Sequence, residues 1–104
     1  YEAQSAYLSY YPLGSSIGRH QDYEEKVNKP VISISLGEDA LFELGGLGRF
    51  ESFEEIILHS GDVFIFGEEH RYCYHSVRKI IPDTRPADLS MDPVRISITI
   101  RQYE

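Results

Sequence analysis

The 104-residue chain has no tryptophan, one methionine, one cysteine and no unbroken apolar stretch longer than a few residues. A helix that crosses a bilayer needs about 20 consecutive apolar residues, so such a span is excluded. Cys73 on its own forms no internal disulfide, which fits a reducing, intracellular compartment. Positive charge is scarce as well: Lys and Arg number 10 against 17 Asp and Glu, for a net charge of −7. The surface as a whole is therefore not a polyanion-binding face, and contact with a nucleic acid has to be local or come from residues beyond these. What is present is enough for a core. Hydrophobic residues make up 41% and charged residues 26%, which excludes a disordered tail. The length suits one domain over residues 1–104, expected to be monomeric and without membrane attachment. Neither an initiator Met nor a leader-like segment opens the chain, so the expectation is a core taken from a longer protein.

Charge is unevenly placed. Residues 1–69 carry four basic and thirteen acidic side chains, whereas residues 70–104 carry six basic and four acidic, so the C-terminal third is where an anion would bind. The dominant apolar period is two. In Val31–Leu36, Ile32, Ile34 and Leu36 alternate with Ser33 and Ser35, the pattern of a strand rich in β-branched residues. The same reasoning predicts strands at Tyr7–Tyr11, Leu41–Leu44, Ile56–His59, Val63–Phe66, Tyr72–Val77 and Arg95–Arg101, separated by glycine turns. A helical turn is expected at most near Phe53–Ile57. The chain is thus read as mostly all-β, a sandwich, jelly roll or small barrel. The segment from Ile81 to Pro93, with Pro82, Pro86 and Pro93, reads as a mobile surface loop.

Two groups of residues suggest chemistry. In His20-Gln21-Asp22 the first and third side chains share a face of an extended chain, and His75 would complete two histidines and one carboxylate. That facial set leaves open positions on a non-haem Fe(II). On the last strand Arg95, Ser97, Thr99 and Arg101 share the face opposite Ile96, Ile98 and Ile100. Two guanidiniums whose Cα atoms lie roughly 20 Å apart reach one small dicarboxylate only by bending toward each other. Tyr11 is the tyrosine placed to donate to such an anion, the others being read as packing residues. A thiolate ligand at Cys73 is disfavoured, and His59, His70 and the acidic pairs Glu24-Glu25, Glu54-Glu55 and Glu68-Glu69 are read as solvated.

Taken in order, Tyr11-x-x-Gly14, His20-Gln21-Asp22, Pro30 through Gly37, Phe42 with Gly45-Gly46-Leu47 and Arg49, His59-Ser60-Gly61-Asp62, Arg71 with Tyr74-His75, and Arg95 through Arg101 form a series. The series resembles the AlkB family of Fe(II)/2-oxoglutarate dioxygenases over nearly the whole chain. The resemblance implies a double-stranded β-helix of jelly-roll type, with an N-terminal lid that is absent from this chain. It implies Fe(II) on His20, Asp22 and His75. It implies 2-oxoglutarate bound by Arg95 and Arg101 with help from Tyr11 and from Ser9 and Ser97, which stand where bacterial relatives have asparagine. O2 is the further co-substrate. Glu24 and Arg49 fall where the family approaches its target base. The implied activity is oxidative demethylation of N-alkylated bases of DNA or RNA, releasing formaldehyde, succinate and CO2, with docking partly through regions outside the chain. Other readings are an AlkB-like enzyme acting on protein or lipid, or a non-catalytic cupin-type metal-binding barrel, which needs the triad but no paired arginines.

Overall fold

The computed structural model describes residues 1–22, 28–48 and 51–103. Among the described residues eight strands run β1 Ser5–Pro12, β2 Ile17–His20, β3 Val31–Gly37, β4 Asp39–Leu44, β5 Glu54–Leu58, β6 Val63–Phe66, β7 His75–Ile81 and β8 Val94–Arg101, with one 3-10 turn at Glu68–His70. They form two four-stranded antiparallel sheets, ordered β1-β8-β3-β6 and β2-β7-β4-β5. Two such sheets facing each other are the jelly-roll architecture expected from the alternation. Among the described residues no helix is long and apolar enough to cross a membrane.

Several expectations shift. β2 falls where the alternation predicts no strand, because Ile17-Gly18-Arg19-His20 is too short and too polar to show a period of two. Phe53–Ile57 is no helical turn; Glu54–Leu58 pairs with β4 as β5, since cross-strand partners outweigh a weak local signal. β7 begins three residues later than Tyr72, at His75, and continues to Ile81.

The direction of the alternating faces is the main surprise. On β3 and β8 the isoleucines point outward, where Leu8, Tyr10, Val63 and Ile65 join them as an exposed apolar face. The polar residues point inward instead: Ser9, Ser97 and Ser35 form one row across three strands, and Tyr11 and Arg95 stand opposite each other in another. The core is therefore a small plug between the sheets, built from Val31, Ala40, Phe42, Leu58, Phe66, Val77 and Ile80. Each large member contributes about 1.5–3 kcal/mol by burial. Phe42, Phe64 and Phe66 pack at ring separations of 4.8–5.8 Å.

The chain crosses between sheets at Gly37, where φ is +90° and a Cβ would stand 2.3 Å from the Val94 carbonyl oxygen. Only glycine fits such a crossing. The next residue, Glu38, is completely buried and accepts hydrogen bonds from the backbone N–H of Thr84 at 2.7 Å and of Arg85 at 3.2 Å, and from the Arg85 side chain. This carboxylate anchors the start of the segment expected to be a mobile loop. Burial alone would raise its pKa, but the Thr84 and Arg85 bonds hold it below the ordinary 4.5. A depressed carboxylate pKa gives stability that is present above the unfolded value and lost as pH falls through the folded one. Glu38→Gln is expected to lower Tm by about 5–10 °C at pH 7. The wild-type and variant melting curves, followed by circular dichroism, should converge as pH falls below the ordinary carboxylate range. A constant difference across that range would contradict this assignment.

Candidate metal and co-substrate site

β2 and β7 pair so that His20 lies directly opposite His75. Their rings meet edge to face, with centroids 4.3 Å apart. Asp22, two residues past the end of β2, brings its carboxylate to both. Nε2 of His20 lies 3.9 Å from Oδ1, and Nε2 of His75 lies 3.8 Å from Oδ2. One ligand atom from each of the three residues fits within a span of 4.8 Å. These separations are too long for hydrogen bonds and suit atoms sharing one ion at bond lengths of about 2.1 Å.

The ring tautomers are set from behind. Nδ1 of His20 lies 2.8 Å from the Gly18 carbonyl and Nδ1 of His75 3.0 Å from that of Cys73. A carbonyl only accepts, so each Nδ1 carries the proton and each Nε2 turns a lone pair toward Asp22. His75 is buried against Phe42 and Phe66, and desolvation pulls its pKa down, aided by His20 and Arg101. It stays neutral, as a metal ligand must. Cys73 thus serves through its backbone; its buried thiol side chain lies outside β7.

The same cavity, of about 300 Å³, runs from the triad to Arg95. Arg101 stands at the metal end, its Nη2 3.5 Å from Asp22 Oδ2. Arg95 stands at the other, 2% exposed, donating from Nη2 to the Ser35 hydroxyl at 2.9 Å, with Nε buried and without a hydrogen-bond partner among the described residues. Burial lowers its pKa, and the Tyr11 phenol opposes that shift. Tyr11 also lays its ring 5.2 Å from the Arg95 guanidinium carbon. A buried guanidinium with a spare donor is a seat for an anion. Ser97 is buried and its hydroxyl lies 3.1 Å from that of Ser33, while Ser9 lines the cavity half-buried. Glu24 and Arg49 lie outside the described residues.

One contributor had no role assigned from sequence. Arg71, 1% exposed, donates to the Asp22 carbonyl at 2.8 Å and the Lys29 carbonyl at 2.7 Å, clamping the backbone on both sides of the segment after the triad's carboxylate. Its place four residues before His75 was the available signal.

A jelly roll holding two histidines and one carboxylate at the mouth of an arginine-backed cavity has the architecture of a mononuclear non-haem Fe(II) oxygenase. The 2OG-Fe(II) oxygenase superfamily matches residues 1–101. The chain is 37% identical over 105 residues to the DNA N(6)-methyladenine demethylase ALKBH1C of Arabidopsis thaliana, covering 92% of this chain and 23% of that protein. It is 32% identical over 103 residues to the alpha-ketoglutarate-dependent dioxygenase AlkB of Escherichia coli, covering 98% of this chain and 46% of that protein. The solved structure of OsALKBH1 superposes with a TM-score of 0.88 at 34% identity, over 93% of this chain and 48% of that one. The chain belongs to the AlkB family within the 2OG-Fe(II) oxygenase superfamily. It spans between about a quarter and a half of the length of these relatives.

Proposed function

We propose that residues 1–104 are the catalytic core of an Fe(II)- and 2-oxoglutarate-dependent demethylase of N-alkylated nucleic-acid bases. The observation that carries this reading is the placement of the triad and Arg95 at opposite ends of one cavity. The chemistry of the donor set fits Fe(II), which would activate O2 for oxidation of the co-substrate and of a C–H bond when bound to His20, Asp22 and His75. Arg95 then holds the distal carboxylate of 2-oxoglutarate, with Tyr11 keeping the guanidinium in place. Arg101 supplies positive charge beside the metal end. Ser9 and Ser97 offer hydroxyls along the span between. Val31, Phe42, Phe66 and Val77 give the cavity an apolar lining beside these polar groups.

In the overall reaction 2-oxoglutarate and O2 give succinate and CO2, and the second oxygen atom becomes the hydroxyl of an N–CH2OH group. Collapse of that hemiaminal returns the proton to nitrogen and releases formaldehyde. The similarity to nucleic-acid demethylases, a DNA N(6)-methyladenine demethylase among them, supports a nucleic-acid substrate. Incubating the chain with Fe(II), 2-oxoglutarate, O2 and a panel of N-methylated DNA and RNA oligonucleotides should give formaldehyde and succinate in equal amounts. Succinate with formaldehyde from methylated peptides or lipids alone would overturn the substrate class.

A further inference from the structure

The two metal-site histidines lie on strands joined by a thin ladder. β2 is a four-residue edge strand beside β7, and its register is Ile17↔Val77 and His20↔His75 with an irregularity between them. Three steps along β2 therefore match two along β7, which makes the Gly18-Arg19 stretch a bulge. A slip of one residue there would turn His20 to the opposite face, away from Asp22.

Glu43 meets this bulge from two strands away. It lies on β4 directly opposite Ser76 of β7, 4% exposed, on the sheet face turned away from the cavity. Its Oε1 accepts the Ser76 hydroxyl at 2.8 Å. Its two oxygens also accept Nε and Nη2 of Arg19 at 3.4 and 3.5 Å, and Oε2 accepts Nη1 of Arg78 at 3.3 Å. Arg19 immediately precedes His20, and Ser76 immediately follows His75. One buried carboxylate thus grips the neighbour of each histidine. The Arg19 guanidinium carbon lies over the Phe53 ring, 3.8 Å from its centroid, and Gly45 makes room because a Cβ there would come within 2.7 Å of that ring. Burial raises the Glu43 pKa, yet bonds from Ser76, Arg19 and Arg78 bring it below the ordinary 4.5, so the group is a carboxylate at neutral pH.

We propose that Glu43 is a positioning residue for the metal centre: by holding Arg19 and Ser76 together it fixes the β2 bulge and the register that sets His20 opposite His75. The proposal rests on the metal-site reading above. Partners behind metal ligands typically affect metal affinity by about 10–100-fold. Co(II) serves as the probe, titrated into the full chain and followed by its visible ligand-field absorption. Glu43→Leu is expected to raise the Co(II) Kd about 10-fold or more and to alter the band shape, and Glu43→Gln, which can still accept from Ser76, about 3-fold. Glu38→Gln is the control: it removes a comparable buried carboxylate that touches neither histidine strand neighbour, and it should lower Tm with Kd unchanged. Should Glu43→Leu fail to fold, Ser76→Ala decides, with an expected rise of about 3-fold. Unchanged Kd in the folded Glu43 and Ser76 variants, or an equal rise in Glu38→Gln, overturns the proposal while leaving the metal site standing. A wild type that binds no Co(II) overturns the metal site itself and the proposal with it.

Discussion

Replacing His75 by alanine is expected to cut Fe(II)-dependent succinate formation from 2-oxoglutarate by at least about 100-fold. Partners that merely orient a ligand are worth 10–100-fold, and His75 is itself a proposed ligand. It is also the less replaceable histidine, buried between Phe42 and Phe66 with Nδ1 committed to the Cys73 carbonyl. Alanine leaves a cavity beside those rings, at a cost of about 2–5 kcal/mol against a typical stability of about 5–15 kcal/mol, so the variant should stay folded at low temperature. His75→Gln fills most of the volume without an imidazole and should lose turnover to a similar degree with a smaller fall in Tm. Turnover that persists in a folded His75→Ala protein would sink the ligand assignment.

The second large effect belongs to Arg95. Removing one partner of a buried, hydrogen-bonded charge pair costs about 2–5 kcal/mol, which corresponds to roughly 30- to several-thousand-fold in affinity. Arg95→Leu should therefore raise the KM for 2-oxoglutarate about 100-fold or more, with a smaller change in kcat once the co-substrate is saturating. The protein without co-substrate should behave in the opposite sense. Arg95 is almost fully buried, its charge is opposed by desolvation, and leucine relieves that cost, so Tm should hold or rise. A fall in both Tm and kcat with KM unchanged would identify Arg95 as a structural residue. Arg95→Lys, which keeps charge but loses the fork, should fall between wild type and leucine.

Particular residues show how far the sequence could be read. The serine and isoleucine alternation of β3 and β8 located both strands, and the spacing in His20-Gln21-Asp22 placed two proposed ligands together. The same alternation did not say which face turns inward. In this fold the polar face does, because it lines a cavity between the sheets, while the isoleucines form the outer face. β2 escaped notice because a bulged four-residue edge strand has no period to detect. Acidic residues carry no sequence mark of burial, so nothing in the sequence marks Glu38, enclosed by Thr84 and Arg85 of the β7–β8 loop, or Glu43, enclosed by side chains of β2 and β7. Arg71 is similar: its partners, the Asp22 and Lys29 carbonyls, become neighbours only in the folded chain.

The most direct test is an anaerobic titration of the chain with Fe(II) and 2-oxoglutarate, followed by visible absorption. A weak charge-transfer band should appear only when both are present, weaken in Asp22→Ala and require far more 2-oxoglutarate in Arg95→Leu. Admitting O2 should bleach it with formation of succinate. A folded chain that shows no such band and forms no succinate would contradict the assignment of His20, Asp22 and His75 to iron and of Arg95 to its co-substrate.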